Sequence, residues 1–88
     1  MQKKFNYYQD PSHGWVKVNR KLLHKLKIED RITGFSYQKG DNVYLEEDCD
    51  LSVLIEALKV VGVTPKFIQR YTHRSSKIRS YQKYSLAA

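Results

Sequence analysis

Between Asp50 and Gly62 the apolar residues fall at Leu51, Leu54, Ile55 and Leu58. The spacing i, i+3, i+4, i+7 is that of one face of an α-helix, and it is the clearest periodicity in the chain. Both ends of this helix are marked. Asp50 is a candidate N-cap, because an Asp side chain accepts a hydrogen bond from an early helical N–H. Gly62 suits the left-handed position just past a helix, and Pro65 prevents continuation. Such a helix has to lay its apolar face, with Leu54 and Ile55 at its centre, on another layer. Residues 32–38 and 43–46 supply two strands, joined by the hairpin turn Lys39-Gly40-Asp41-Asn42, in which Gly40 and Asn42 tolerate positive φ. Residues 34–58 are therefore predicted as strand, turn, strand, acidic corner and helix.

The flanks add the remaining elements. Trp15-Val16-Lys17-Val18 is a strand candidate, with Val16 and Val18 on one face and Trp15 and Lys17 on the other. Asn19 then caps a helix of about ten residues whose apolar stripe is Leu22, Leu23 and Leu26, with Ile28 turning inward after it. Residues 66–73 alternate as a strand with an exposed far end, and residues 77–84 form a last strand or an ordered arm. The opening residues 1–14 show no clean period; Pro11 and Gly14 mark a turn, and Phe5, Tyr7 and Tyr8 are available to dock. The order is β-α-β-β-α-β. It predicts a small α+β domain, an antiparallel sheet with two helices on one face, for which the ferredoxin-like arrangement is one solution. One domain covers 1–88, with 1–12 and 85–88 as candidate flexible ends.

Charge divides this chain into blocks. Residues 1–40 carry nine Lys/Arg and three acids, residues 41–58 carry six acids and no Lys/Arg, and residues 59–88 carry seven Lys/Arg and no acid. The net charge of +7 points to a phosphate-rich or acidic partner, and its plainest alternative use is solubility. The acidic block argues against a broad nucleic-acid groove, because it interrupts the positive field. Cys49 is the sole cysteine, so no disulfide framework is available. No secretory leader and no run long enough to span a bilayer is present, which predicts a cytoplasmic protein without a membrane partner.

The chemistry-bearing residues are few. Glu46, Glu47, Asp48 and Asp50 form an acidic corner without the spacing of a calcium loop, and alternation along a strand would split their carboxylates between two faces. Binding of a divalent cation is one reading of them, and capping with a solvated patch is the plainer one. The acidic neighbours of Cys49 disfavour a thiolate. His13, His24 and His73 are scattered and lack metal-type spacing. Lys39-Gly40 and Val43-Tyr44 loosely match an RNA-recognition signature, but Asp41 and Asn42 occupy its aromatic positions. With no phosphate loop, nucleophile motif or acid–base pair, neither an enzyme, a metal nor a cofactor is expected.

The strongest functional candidate is the stretch 70–84, which combines five Lys/Arg, three Tyr and several hydroxyls with no acid. Guanidinium forks and hydroxyls suit phosphate oxygens, and Tyr faces suit bases. Solvated charges on an edge strand are the alternative. The expected ligand-binding residues are Arg74, Ser76, Lys77, Arg79 and Tyr81. His73 joins them from the same run, and His13 and Trp15 join if the first strand lies nearby. If residues 77–81 are extended, Lys77, Arg79 and Tyr81 share an exposed side while Ile78 points inward, and removal of Arg74 and Arg79 together leaves the fold intact.

His13-Gly14-Trp15, Ser36-Tyr37 through Tyr44-Leu45-Glu46-Glu47-Asp48-Cys49-Asp50, and Ser76 to Tyr81 with Tyr84 are landmarks by which the chain resembles a family of small, largely uncharacterised proteins encoded by bacteriophages and other mobile elements. The resemblance runs from about Tyr8 to Tyr84. It implies an accessory protein in the host cytoplasm and carries no catalytic residue with it. Proteins of such genomes often bind host components, including defence machinery or its nucleotide signals. The expected function is non-enzymatic binding of a compact anionic, nucleotide-like ligand or a host protein, with action against host defence as its setting. Nucleic-acid binding is the alternative.

Overall fold

A computed structural model describes residues 1–86. The fold is α+β, with a six-stranded sheet and two helices. The strands are β1 (Gln2–Gln9), β2 (Gly14–Asn19), β3 (Tyr37–Lys39), β4 (Asn42–Glu46), β5 (Thr64–Tyr71) and β6 (Gln82–Lys83). The helices are α1 (Arg20–Lys25), after β2, and α2 (Leu51–Val60), after β4. The sheet order is β5-β1-β2-β4-β3-β6. β4 lies between β2 and β3 and runs antiparallel to both, which is the split β-α-β pairing of a ferredoxin-like sheet.

The opening segment departs from the sequence expectation. Residues 1–12 are not a loose end, because Gln2–Gln9 is an inner strand. It pairs antiparallel with β2 at Tyr7, Tyr8 and Gln9, and parallel with β5 along its whole length, Gln2 opposite Thr64 through Gln9 opposite Tyr71. The sheet is therefore mixed rather than antiparallel, and β1 separates β2 from β5. Only Phe5 of β1 is fully buried, so the strand shows little periodicity. Backbone pairing on both edges, not an apolar stripe, holds it in place.

Other boundaries shift for local reasons. The strand expected over 32–38 shortens to Tyr37–Lys39. The Thr33 N–H and hydroxyl turn instead to the Asp50 carboxylate, at 3.0 and 2.9 Å to Oδ2, and Ser36 Oγ donates to the same oxygen. Asp50 flanks α2 but makes no side-chain cap bond; it ties the 33–36 loop to the helix start. β5 begins two residues before the expected strand and includes Pro65, which an edge strand tolerates. Residues 77–84 are not one strand. Lys77–Ser80 is a 3-10 turn, and β6 is a two-residue strand on β3.

The two helices end alike. In α1, capped as expected by Asn19 Oδ1 on the Lys21 N–H at 2.8 Å, Lys27 N–H bonds His24 O and Ile28 N–H bonds Leu23 O. In α2, Gly62 N–H bonds Lys59 O and Val63 N–H bonds Leu58 O. Both are Schellman ends. Gly62 takes φ +75° at no steric cost, whereas Lys27 holds φ +59° with a side chain.

Helices and loops cover one face of the sheet. The main core joins Phe5, Val16, Val18, Val43 and Leu45 from the strands with Leu23, Leu51, Leu54 and Leu58 from the helices, and Ile28, Ile32 and Tyr84 from the connections. Ile55, expected in this core, is 36% exposed, while Leu54 is fully buried. The stripe that faces the sheet is Leu51, Leu54 and Leu58, and Ile55 sits on its rim. On the opposite face Trp15, Tyr44 and Ile78 form a second cluster, with Tyr8, Tyr37 and Tyr81 against it. Ile78 is thus the anchor of the C-terminal segment.

Two predictions follow from this packing. Leu54→Ala should cost about 2–5 kcal/mol and Ile55→Ala less than about 1 kcal/mol, as measured by urea unfolding. Lys27→Gly should raise the melting temperature, since it relieves about 1 kcal/mol of left-handed strain.

Candidate functional site

The face of the sheet away from the helices is where the C-terminal segment lies, and one ion pair holds it there. Asp10, in the β1–β2 turn, is buried. Its carboxylate accepts from Ser12 N–H at 3.0 Å and His13 N–H at 2.9 Å within the turn. It also accepts from Ser76 N–H at 2.9 Å, and from Arg79 Nε at 2.7 Å and a terminal guanidinium nitrogen at 3.0 Å. The Arg79 guanidinium, helped by these N–H groups and opposed by burial, holds the Asp10 carboxyl far below the usual carboxylate range. Arg79 also stacks over Trp15, 5.2 Å from the ring centre.

This pairing changes the role expected for Arg79. The 3-10 turn over Lys77–Ser80 replaces the extended backbone that would have put Lys77, Arg79 and Tyr81 on one side. Arg79 turns inward to Asp10, so it is structural in this fold. The N–H of Ser76, one of the expected ligand-binding residues, is used by Asp10 as well.

Arg74, Ser76 and Lys77 do converge. Together with Arg70, Tyr71, Thr72 and Ser75, and with Tyr8 and Gln9 of β1, they line a cleft of about 370 Å³. Its lining contains three basic side chains and no carboxylate. Neither Arg74 nor Lys77 has an ion-pair partner among the described residues. Arg70 Nε donates to Asn6 Oδ1 at a long 3.4 Å. His73 packs edge-on against the cleft residue Tyr71, with ring centres 5.1 Å apart. Tyr81 lies in an adjoining hollow with Lys17, Tyr44 and Lys77, where Lys39 sits over its ring at 4.8 Å.

His13 and Trp15 do not close this cleft. They line a separate recess with Phe35, Tyr37, Glu46, Asp48, Cys49 and Arg79. Partial desolvation, and then Glu46, Asp50 and Asp48, push the Cys49 thiol up, so the thiolate is disfavoured. Burial, reinforced by the hydrogen bond and charge of Glu47, pushes the nearby Tyr7 phenol up to about 12.

Sequence reasoning missed Tyr8 as a cleft wall and Asp10 as the anchor. Tyr8 enters only because β1 pairs with β5, opposite Arg70. Asp10 did carry a local signal, since Asp-Pro-Ser marks an Asx turn, but its partner stands 69 positions away. Comparison with protein-family models, with curated proteins and with solved structures finds no match to this chain.

Arg79→Ala should cost about 2–3 kcal/mol. That is less than for a fully buried pair, because a third of the Arg79 side chain is exposed. A double substitution of Arg74 and Arg79 would therefore weaken the fold as well as any site. The pH dependence has a definite sign. The folded Asp10 carboxyl titrates below its unfolded value of 3.8, so its stabilisation is complete above that value and is lost as pH falls below it. Asp10→Asn should lower the melting temperature at neutral pH, and the gap to the parent protein should narrow on acidification through about pH 4 to 2.

Proposed function

We propose that this chain is a non-enzymatic binding protein that takes a compact, phosphate-bearing ligand of nucleotide type in the Arg70–Arg74–Lys77 cleft. The observation that carries the reading is the cleft lining, three basic side chains with hydroxyls and two Tyr residues and no carboxylate. Guanidinium groups pair bidentately with phosphate oxygens, and the ammonium of Lys77 adds a point charge. Tyr8 and Tyr71 offer ring surface to a base. The cleft volume of about 370 Å³ lies in the range of small-ligand pockets. A concave basic site favours a compact anion over a host protein, which would call for a broader and flatter surface. The cytoplasmic setting and a role against host defence, by sequestering a nucleotide signal, rest on the resemblance to mobile-element proteins.

Nucleic acid is the second reading, and one observation favours it. The hollow beside the cleft adds Lys17 and Tyr81 to Lys77, so basic groups continue along the face. Against it, Tyr44 is buried and Tyr81 is already covered by Lys39, which leaves little open ring for a run of stacked bases.

Calorimetric titration with ADP and with a short single-stranded oligonucleotide separates the two. ADP should bind with a shallow salt dependence. Arg74→Ala and Lys77→Ala, both at exposed positions, should each weaken it on the order of tenfold to a hundredfold while the melting temperature holds. A preference for the oligonucleotide, with a log–log salt slope growing by about 0.7 per phosphate contact, would establish the second reading instead. ADP affinity unchanged in both variants would remove the cleft from function.

A further inference from the structure

The acidic corner is not split as strand alternation suggests. β4 ends at Glu46, and the chain turns there, with Asp50 N–H bonding Glu46 O at 2.9 Å. Glu46, Glu47 and Asp48 thereby gather on one side, opposite His13 of the β1–β2 turn. One ligand-type atom from each of these four residues lies within 4.8 Å of the others. None of the four lines the basic cleft.

The second observation is inside Glu46. The residue is only 7% exposed. Its Oε1 accepts from the N–H groups of Asp48 at 2.9 Å and Cys49 at 3.0 Å. Its Oε2 is buried and has no hydrogen-bond partner among the described residues. That oxygen stands 3.7 Å from Nδ1 of His13, another member of the cluster. A buried carboxylate oxygen without a hydrogen bond is costly, the 3.7 Å contact to His13 is too long to be one, and a cation is the group that offsets the cost most fully.

The surrounding backbone builds the site. His13 is held by its N–H on Asp10 Oδ1 and by its carbonyl, which accepts from Asp10 N–H. Glu47 is held by its N–H on Gly14 O at 3.0 Å and by the Tyr7 hydroxyl, which donates to Glu47 Oε2. Gly14 makes the approach possible: a Cβ there would stand 2.5 Å from the Tyr7 ring and 3.0 Å from Glu47 Oε2. Donor atoms around one tetrahedral ion stand about 3–3.5 Å apart. The His13–Glu46 separation is already close to that, and the side chains of His13 and Asp48 are exposed.

We infer that His13, Glu46, Glu47 and Asp48 form a binding site for one divalent first-row transition cation. The donor set decides the class. An imidazole nitrogen with carboxylates suits zinc or manganese, whereas calcium and magnesium favour all-oxygen shells. The site pins the β1–β2 turn to the β4–α2 corner, so occupancy stabilises the end of the β2–β4 ladder.

The test is calorimetric titration of the full chain with zinc, manganese, calcium and magnesium chlorides, together with thermal melts. One zinc per chain should bind, more tightly than calcium or magnesium, and should raise the melting temperature. His13→Ala and Glu46→Gln should each weaken zinc by roughly tenfold or more. Glu46→Gln keeps an oxygen for the Asp48 and Cys49 N–H groups, and His13 is exposed, so both variants should fold. Cys49→Ala should leave zinc affinity unchanged. Failure of zinc and manganese to bind at millimolar concentration would overturn the site, as would equal affinity for calcium. Zinc binding that survives His13→Ala, or that disappears with Cys49→Ala, would do the same.

Discussion

The Asp10–Arg79 pair is the constraint on which the non-helical face of this domain depends. A carboxylate that is 1% exposed at its side chain must find strong partners. Asp10 finds them both in its own turn and in a segment more than sixty residues away. The bidentate guanidinium fixes the direction of approach as well as the distance. With Arg79 held, Ile78 is pressed into the cluster of Trp15 and Tyr44, and the preceding residues are carried over β1 and β5. The basic cleft is a consequence of that path. Its walls are β1, β5 and the loop between β5 and the Asp10 anchor.

A second buried carboxylate performs the matching task on the other side. Asp50 is fully buried and collects Thr33 and Ser36. Ser36 Oγ in turn accepts from Glu46 N–H at 2.9 Å, and Ser36 O accepts from Tyr84 N–H at 2.9 Å. The network joins the loop before β3, the end of β4, the start of α2 and Tyr84 just after β6. In a domain this small the apolar core supplies little margin. Satisfied buried polar groups then specify which loop goes where, even when their net contribution to stability is modest.

The charge blocks acquire a spatial meaning from the same two anchors. The acidic corner and the basic cleft lie in distinct sites with no shared residue. Asp10 stands between them in the chain path, holding the His13 N–H with Oδ1 and the Ser76 N–H with Oδ2 while the Arg79 guanidinium spans both oxygens. Opposite charges kept apart in this way leave two local fields of opposite sign, instead of one diffuse positive surface.

Much of the fold is legible in the sequence because the responsible interactions are local. The Asn19 cap, the Gly40 turn, the Leu51–Leu54–Leu58 stripe and the Gly62 end each follow from residues within a few positions of one another. So does the alternation that sends Val16 and Val18 to one face and Trp15 and Lys17 to the other. What the sequence could not decide involves partners far apart in the chain. β1 is a strand because β2 and β5 satisfy its backbone, and its own side chains barely register the fact. Asp50 forsakes a cap because Thr33 and Ser36 are brought to it. Arg79 is withdrawn from the surface by Asp10, and the carboxylates of the acidic corner meet His13 because the chain turns after β4. Local propensity and periodicity act over one or two turns and were enough to determine the elements. The pairing of buried charges acts through space, so only the tertiary structure decided which charged residues remain open to a ligand.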